Sequence, residues 1–452
     1  MIKGKNDKFR FVFSVYLLCS SLVAAQDEVD ESAMFADTSS VVDSATVVNT
    51  QAAIQDAKEK NSVGWSGEVN VFLTPSVSRD WFDDPELSGV GFPSRIVANG
   101  LFDVRLVKGA KAFADLEAAY VPVSSYDMAR STGMLDVDSG TVFNVPEFFI
   151  DANYNKKVYV RVGKQVLQWG RCFLWNPTDF VNVERKTFFQ TMGHREGTYG
   201  LKLHIPYKTL FNFYSFLDAH DASAIDGLAA AGKAEVLVGR TEIALSMWGK
   251  KGMKPIVGFD CSSQLFNVQI AGEVSLRNGK DMNTLDLNDT TITDMGNTWI
   301  PRASLNLMKF FPLGGVADRL TISTEFYYNH AGYTTNIFSG GLIDYQLILN
   351  TLLATNDTAA VMGLYEANSY SKYYGMFSAS ISRFIVSDMT FTCNVIGNFS
   401  QACYMLSTGI DYRSLHNFLF SFYLNAFLGK KNTEYTFSNN GLMASIRTGI
   451  VF

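Results

Sequence analysis

The chain has 452 residues, is 47% hydrophobic and 13% aromatic, and carries a formal net charge of −6. An acidic balance of this kind excludes nucleic acid as a partner, because phosphate recognition needs a basic surface. No segment offers the roughly 18 uninterrupted apolar residues of a membrane-spanning helix, which leaves a secreted soluble protein or a barrel in which only alternate residues are apolar.

Residues 1–25 begin with Lys3, Lys5, Lys8 and Arg10, continue as a mostly apolar run and end on Ala24-Ala25. These are the three parts of a secretory signal peptide. Cys19 lies inside the apolar run and lacks the small residues that precede a lipidated cysteine. Losing four basic residues and one acidic residue with the signal takes the charge to −9. Residues 26–62 then hold eight acidic side chains against only Lys58 and Lys60, with little to bury, so they are predicted to form an acidic, flexible periplasmic segment. A short helix is expected over 50–59. The remainder, 63–452, is predicted to be one outer-membrane β-barrel domain.

From Gly64 onward the hydrophobic period is two. Phe102 and Val104 share a face opposite Asp103 and Arg105; Lys111, Phe113, Asp115 and Glu117 oppose Ala112, Ala114 and Leu116. Glu147, Phe149 and Asp151 oppose Phe148 and Ile150, and Arg161 opposes Val160 and Val162. The alternation continues through Glu273 and Arg277, through Arg319 and Glu325, and into the last strand, where Leu442, Ala444, Ile446, Ile450 and Phe452 form an apolar stripe against Ser445 and Arg447. A long series of such strands is the pattern of a transmembrane barrel, with one face to lipid and one to the lumen. Phe452, an aromatic at the chain end, is expected to close the barrel and to serve as the signal read by the barrel-assembly machinery.

The connections alternate between two classes. Tight turns are predicted at 107–110, 155–156, 206–208, 239–240, 262–264, 311–318, 385–388 and 413–416, and mostly longer stretches at 74–93, 123–141, 169–195, 219–231, 249–254, 278–297, 331–369, 398–401 and 430–439. Short periplasmic turns and long extracellular loops are the porin arrangement. The fold class predicted is therefore all-β, a transmembrane antiparallel barrel of about 18 strands, with 16 as the alternative because the strands around 239–240 and 262 are weakly patterned. Four cysteines follow the signal, at 172, 261, 393 and 403; Cys393 and Cys403 fall on opposite faces, so no disulfide is expected.

The third long connection carries Gly163-Lys164-Gln165, Trp169-Gly170 and Asn176-Pro177-Thr178-Asp179. This string resembles a family of large Gram-negative porin-like outer-membrane barrels with a Gly-Lys/Arg-Gln, Trp-Gly, Asn-Pro-x-Asp motif, over fewer than thirty residues. The resemblance implies an outer-membrane barrel acting in transport. Pro177 fixes its own φ and pushes Asn176 toward an extended conformation, so the loop is predicted to have a defined shape. Its charged residues, Arg171, Asp179, Arg185, Lys186, His194 and Arg195, are the candidate pore constriction; a loop that caps the barrel rim or packs on its own aromatics is the alternative.

The candidate lumen wall comprises Arg105, Asp115, Glu117, Asp151, Arg161, Lys164, Arg277, Arg319, Glu325 and Arg447. Parity alone puts Lys164 toward lipid, at a cost of about 2–4 kcal/mol; a bulge at Gly163 that turns it to the lumen is expected instead. The mixed signs predict weak ion selectivity. No catalytic motif, cofactor or metal site is expected: His194, His204, His220, His330 and His416 are scattered, and in Gly227-Leu-Ala-Ala-Ala-Gly232-Lys233-Ala234 the hydroxyl residue that would hold Mg²⁺ is missing. The function expected is passive diffusion of small hydrophilic solutes, with outer-membrane lipid as surroundings and a homotrimer possible by analogy. A transporter of hydrophobic compounds and an adhesin or structural barrel are the alternatives, the second because residues 331–369 form a long apolar loop.

Overall fold

A computed structural model describes residues 62–78, 90–107, 109–122, 140–167, 169–181, 196–208, 210–220, 222–285, 292–334, 368–413, 417–431, 433–436 and 440–452. Eighteen long strands form the wall. The first six are β1 (Ser62–Leu73), β2 (Ser94–Val107), β3 (Ala110–Tyr120), β4 (Thr141–Tyr154), β5 (Val158–Gln165) and β6 (Thr198–Tyr207). Next come β7 (Phe211–Asp218), β8 (Ala229–Val238), β9 (Thr241–Lys250), β10 (Ile256–Leu265), β11 (Val268–Asn278) and β12 (Trp299–Leu313). The last six are β13 (Val316–Asn329), β14 (Tyr373–Ser382), β15 (Met389–Asn398), β16 (Cys403–Arg413), β17 (Phe418–Leu428) and β18 (Asn440–Val451). Two short segments, Ser76–Ser78 and Val90–Gly91, extend the wall at the rim.

Every strand pairs antiparallel with its sequence neighbour, and β18 pairs with β1 from Glu68↔Val451 to Leu73↔Ile446, so the sheet has no free edge. Phe452 continues this seam: its N–H donates to the Gly67 carbonyl at 2.8 Å, and its ring lies 5.6 Å from that of Trp65. The sequence expectation of eighteen strands therefore holds and the sixteen-strand alternative does not, because β8 to β11 pair over nearly their full length. At the start of the described residues Ser62 already pairs with Arg105. The signal peptide and the acidic segment, residues 1–61, lie outside the described residues.

Turn chemistry explains the tight end of the barrel. Asn155 and Lys156 both have positive φ, 50° and 55°, as a two-residue hairpin of matching twist requires. The turn expected at 262–264 falls instead at Phe266-Asn267, with φ of 49° and 60°. Ser262, Ser263 and Gln264 stay in the ladder of β10 and β11. Side chains alternate as the pleat demands: Phe148 and Ile150 are 58% and 55% exposed on the outer face, while Phe149 and Asp151 between them are buried.

The buried apolar core sits inside the barrel. One cluster joins Leu174 and Trp175 to inward residues of β13 to β18, among them Tyr327, Tyr374, Ile396, Met405, Phe427 and Met443. A second joins Leu167, Trp169 and Val181 to Phe216, Ala229, Ala231, Trp248 and Ile256. Both are built around the first part of the third long connection, up to Val181, which is therefore packed against the inner wall.

Candidate functional site: the hairpin inside the barrel

The wall is prepared for this segment by small residues. A Cβ on Gly258 of β10 would stand 2.8 Å from the Phe180 ring and 3.0 Å from the Thr178 methyl. Gly170 is equally constrained, since its Cβ would meet the Asn176 side chain. The chain leaves β5 with the Val166 N–H donating to Glu147 at 2.7 Å, and the Trp169 carbonyl accepts from the Lys233 ammonium at 2.6 Å.

Residues 171–175 then run along the wall, and two buried carboxylates take their backbone donors. Glu273 on β11 accepts from the N–H groups of Arg171 at 2.5 Å and Cys172 at 2.7 Å, and from the Thr178 N–H and hydroxyl at 3.1 and 2.7 Å. Glu325 on β13 accepts from Phe173 at 2.8 Å, Leu174 at 3.0 Å and Trp175 at 2.6 Å, with the Asn306 amide at 3.2 Å. Successive N–H groups converging on a carboxylate form an anion-binding concavity, filled here by the protein's own side chains. Charge-assisted hydrogen bonds of this kind are the strong ones.

Asn176-Pro177-Thr178-Asp179 is a tight turn closed by the Asp179 N–H on the Asn176 carbonyl at 3.0 Å, and it sends the chain back toward β10. At the turn Trp175 stacks on Tyr327, with ring centroids 5.4 Å apart and planes 2° from parallel. Its indole N–H donates to the Asn368 carbonyl at 2.7 Å. The described residues between 166 and 181 thus form a hairpin along the inner wall from β7 to β14.

Arg171 does not project freely into the lumen. Its guanidinium donates to Glu235 at 2.9 Å and to Ser262 at 3.2 Å, and also to Glu242 and Asp260. Lys233 adds a second cation, 3.2 Å from both Glu235 and Asp260. Burial works against the charge on Arg171, but Glu235, Asp260 and Glu242 outweigh it and hold the guanidinium pKa above its ordinary value. Cys172 is buried, and desolvation with the charges of Glu273 and Glu325 pushes its thiol pKa up. It is therefore kept protonated rather than activated. Asp179 is buried at the turn; Arg185, Lys186, His194 and Arg195 lie outside the described residues.

The wall residues sort by partner. Asp151 and Arg161 form a buried pair at 2.6 Å, with the guanidinium 3.8 Å above the Phe149 ring, which stacks on Phe113. Arg105 and Lys111 share Asp103 at 2.8 and 3.1 Å. Arg447 reaches Asn70 at 2.8 Å and Glu68 at 3.3 Å. Glu117 accepts from the Asn99 amide at 3.4 Å, and Asp115 is fully buried beside it. Arg319 is held at the tight-turn end by the carbonyls of Ser382, Arg383 and Phe384. Arg277 takes the inward register of β11, half-buried.

Lys164 departs from expectation. Pairing is continuous through Gly163, despite its φ of +131°, and Lys164 stays level with Phe148 and Tyr199, both exposed on the outer face. The irregularity lies one strand away, where β3 and β4 shift register between Asp115 and Glu117. Its side chain is nevertheless buried, unlike theirs, and its ammonium contacts Glu196 at 2.5 Å and the Val145 carbonyl at 2.6 Å.

At the mouth, the end of the seventh long connection joins the hairpin. The Asn368 side chain accepts from the Tyr435 hydroxyl at 2.9 Å, and its N–H donates to Glu434 at 2.7 Å. Glu434 also accepts from the Asn398 amide at 2.8 Å. Burial pushes the Glu434 pKa up to about 7, with the donors from Asn398, Asn368 and Tyr374 partly opposing that rise.

No family model and no curated protein sequence matches this chain. Solved structures do. OccK9 of Pseudomonas aeruginosa aligns with a TM-score of 0.55 at 7% identity, over 86% of this chain and 98% of that one. OccAB3 of Acinetobacter baumannii aligns at 0.53 and 11%, over 86% and 99%. A BenF-like porin of Pseudomonas fluorescens aligns at 0.53 and 10%, over 86% and 98%. The likeness is one of fold: a closed, antiparallel 18-strand barrel.

Proposed function

We propose that this protein is an outer-membrane channel for passive diffusion of small hydrophilic solutes, narrowed by the hairpin of residues 166–181. The observation that carries the reading is the hairpin itself: a polar-lined, edge-free barrel of this width encloses an aqueous lumen unless something fills it, and here one connection is bound inside along part of the wall. Inner ion pairs among the described residues match opposite charges, Asp151 with Arg161, Asp103 with Arg105 and Lys111, and Glu68 with Arg447, which favours weak ion selectivity. The fold neighbour from Pseudomonas fluorescens, described as a porin, supports the same reading. Lipid contact on the outer face and insertion by the assembly machinery belong to this proposal, as does lack of enzymatic activity.

The test is single-channel recording of the purified, folded protein in planar bilayers. Stepwise conductance is expected, and silence from folded protein would refute the open pore. Deleting 173–189 should raise the conductance of each step; an unchanged current would remove the hairpin from the permeation path.

A further inference from the structure

The inner wall is chemically divided. Under and beside the hairpin, β8 to β13 carry Lys233, Glu235, Glu242, Asp260, Glu273 and Glu325 in the inward register. From β14 to β17 a different set follows. Ser378 pairs with Asn394, Asn394 with Ser407 and Ser407 with Asn425, a continuous row across four strands with no charge. Ser380 and Thr392 form the next step toward the tight turns. Immediately on the mouth side lies the apolar row Met376, Ile396, Met405 and Phe427.

We propose that this strip is a specificity track for uncharged polyhydroxylated solutes, with sugars and polyols as the class; the proposal rests on the channel reading above. Hydroxyl and carboxamide groups donate and accept alike, which suits a ring of hydroxyls and gives no Coulombic preference for an ion. A second observation points to a ligand. Both hydrogen-bonding atoms of the fully buried Asn425 amide lack a partner, as do the buried hydroxyls of Ser407 beside it and Ser445 on β18. Buried polar groups are almost always satisfied, so Ser407 and Asn425, unsatisfied on one row, with Ser445 one step toward the tight turns, call for an outside partner. Ser378, Asn394, Ser380 and Thr392 are only partly covered and form the accessible approach to it; the Ser378 hydroxyl donates to Asn394 at 2.7 Å.

The experiment uses the full-length protein in two formats: bilayer current noise, and titration calorimetry in detergent, each with maltotriose and with the anionic disaccharide derivative lactobionate. Maltotriose is expected to interrupt the current and to bind at least fivefold more tightly than lactobionate. Ser378→Val with Asn394→Leu should abolish that preference while leaving sugar-free conductance unchanged, and Asn394→Gln should restore part of it. Full conductance with no preference for the neutral sugar would overturn the track and leave the channel standing. Preferential binding without any conductance would keep the track and overturn the channel. Absence of both would overturn both, provided heat-modifiable gel mobility reports a folded barrel for each variant.

Discussion

Two parts of the inner wall use acidic residues in opposite ways. On β4 and β5, Asp151 is neutralised by Arg161 on the next strand, side chain against side chain. On β11 and β13, Glu273 and Glu325 are answered by backbone N–H groups of a hairpin more than ninety residues away in sequence. The first arrangement finishes the wall; the second fixes what stands inside it. The difference is one of replaceability, because a cation can be removed together with its anion, whereas three main-chain donors cannot be removed at all.

That contrast gives the largest expected effect. Glu325→Leu leaves the N–H groups of Phe173, Leu174 and Trp175 without an acceptor, at about 1–3 kcal/mol for each enclosed donor. Thermal unfolding in detergent should fall sharply and conductance should rise as the hairpin loosens. Wild-type values for both would break the comparison.

A third carboxylate, Glu434, tests the mouth. Its folded pKa of about 7 lies above the usual 4.5, so the folded state holds the proton more tightly. The stability from this site is then complete below pH 4.5 and lost as pH rises through 7, up to about 3 kcal/mol in total. The melting temperature of the wild type should therefore decline across that window relative to Glu434→Gln. Parallel curves would refute the assignment.

Arg171→Met is expected to cost about 2 kcal/mol, below the range for fully buried pairs because Glu242 keeps contact with solvent. It leaves Glu235 and Asp260 beside Lys233 and takes the Arg171 cation away from Glu242, so the reversal potential in a salt gradient should move toward cation selectivity. A shift toward anions would contradict the placement of Arg171.

The smallest effect belongs to the charged wall. Replacing Asp151 and Arg161 together by Leu and Met should change stability by about 1 kcal/mol or less, since well-packed apolar pairs substitute for buried ion pairs. If this double variant proved as damaging as Glu325→Leu, the distinction between the two walls would collapse.

The barrel was legible in the sequence because each strand must solve the same local problem. Phe148, Phe149, Ile150 and Asp151 announce lipid, lumen, lipid, lumen with no knowledge of any neighbour, and Asn155-Lys156 announces a hairpin. Periodicity also placed Glu273 and Glu325 on the inner face. It could not say what they meet there, because a period of two fixes only the side to which a residue points. Lys164 illustrates the same limit: parity put it level with outward residues, and only the positions of Glu196 and the Val145 carbonyl explain how its charge is held. In the third connection the sequence marked a defined shape through Trp169-Gly170 and Asn176-Pro177. Its direction was set elsewhere, by Gly258 leaving room and by two carboxylates offering acceptors. Alternation along one strand determined the barrel; the hairpin's path was decided only when strands far apart in sequence were brought around it, since its backbone donors are satisfied by residues that become neighbours on closure.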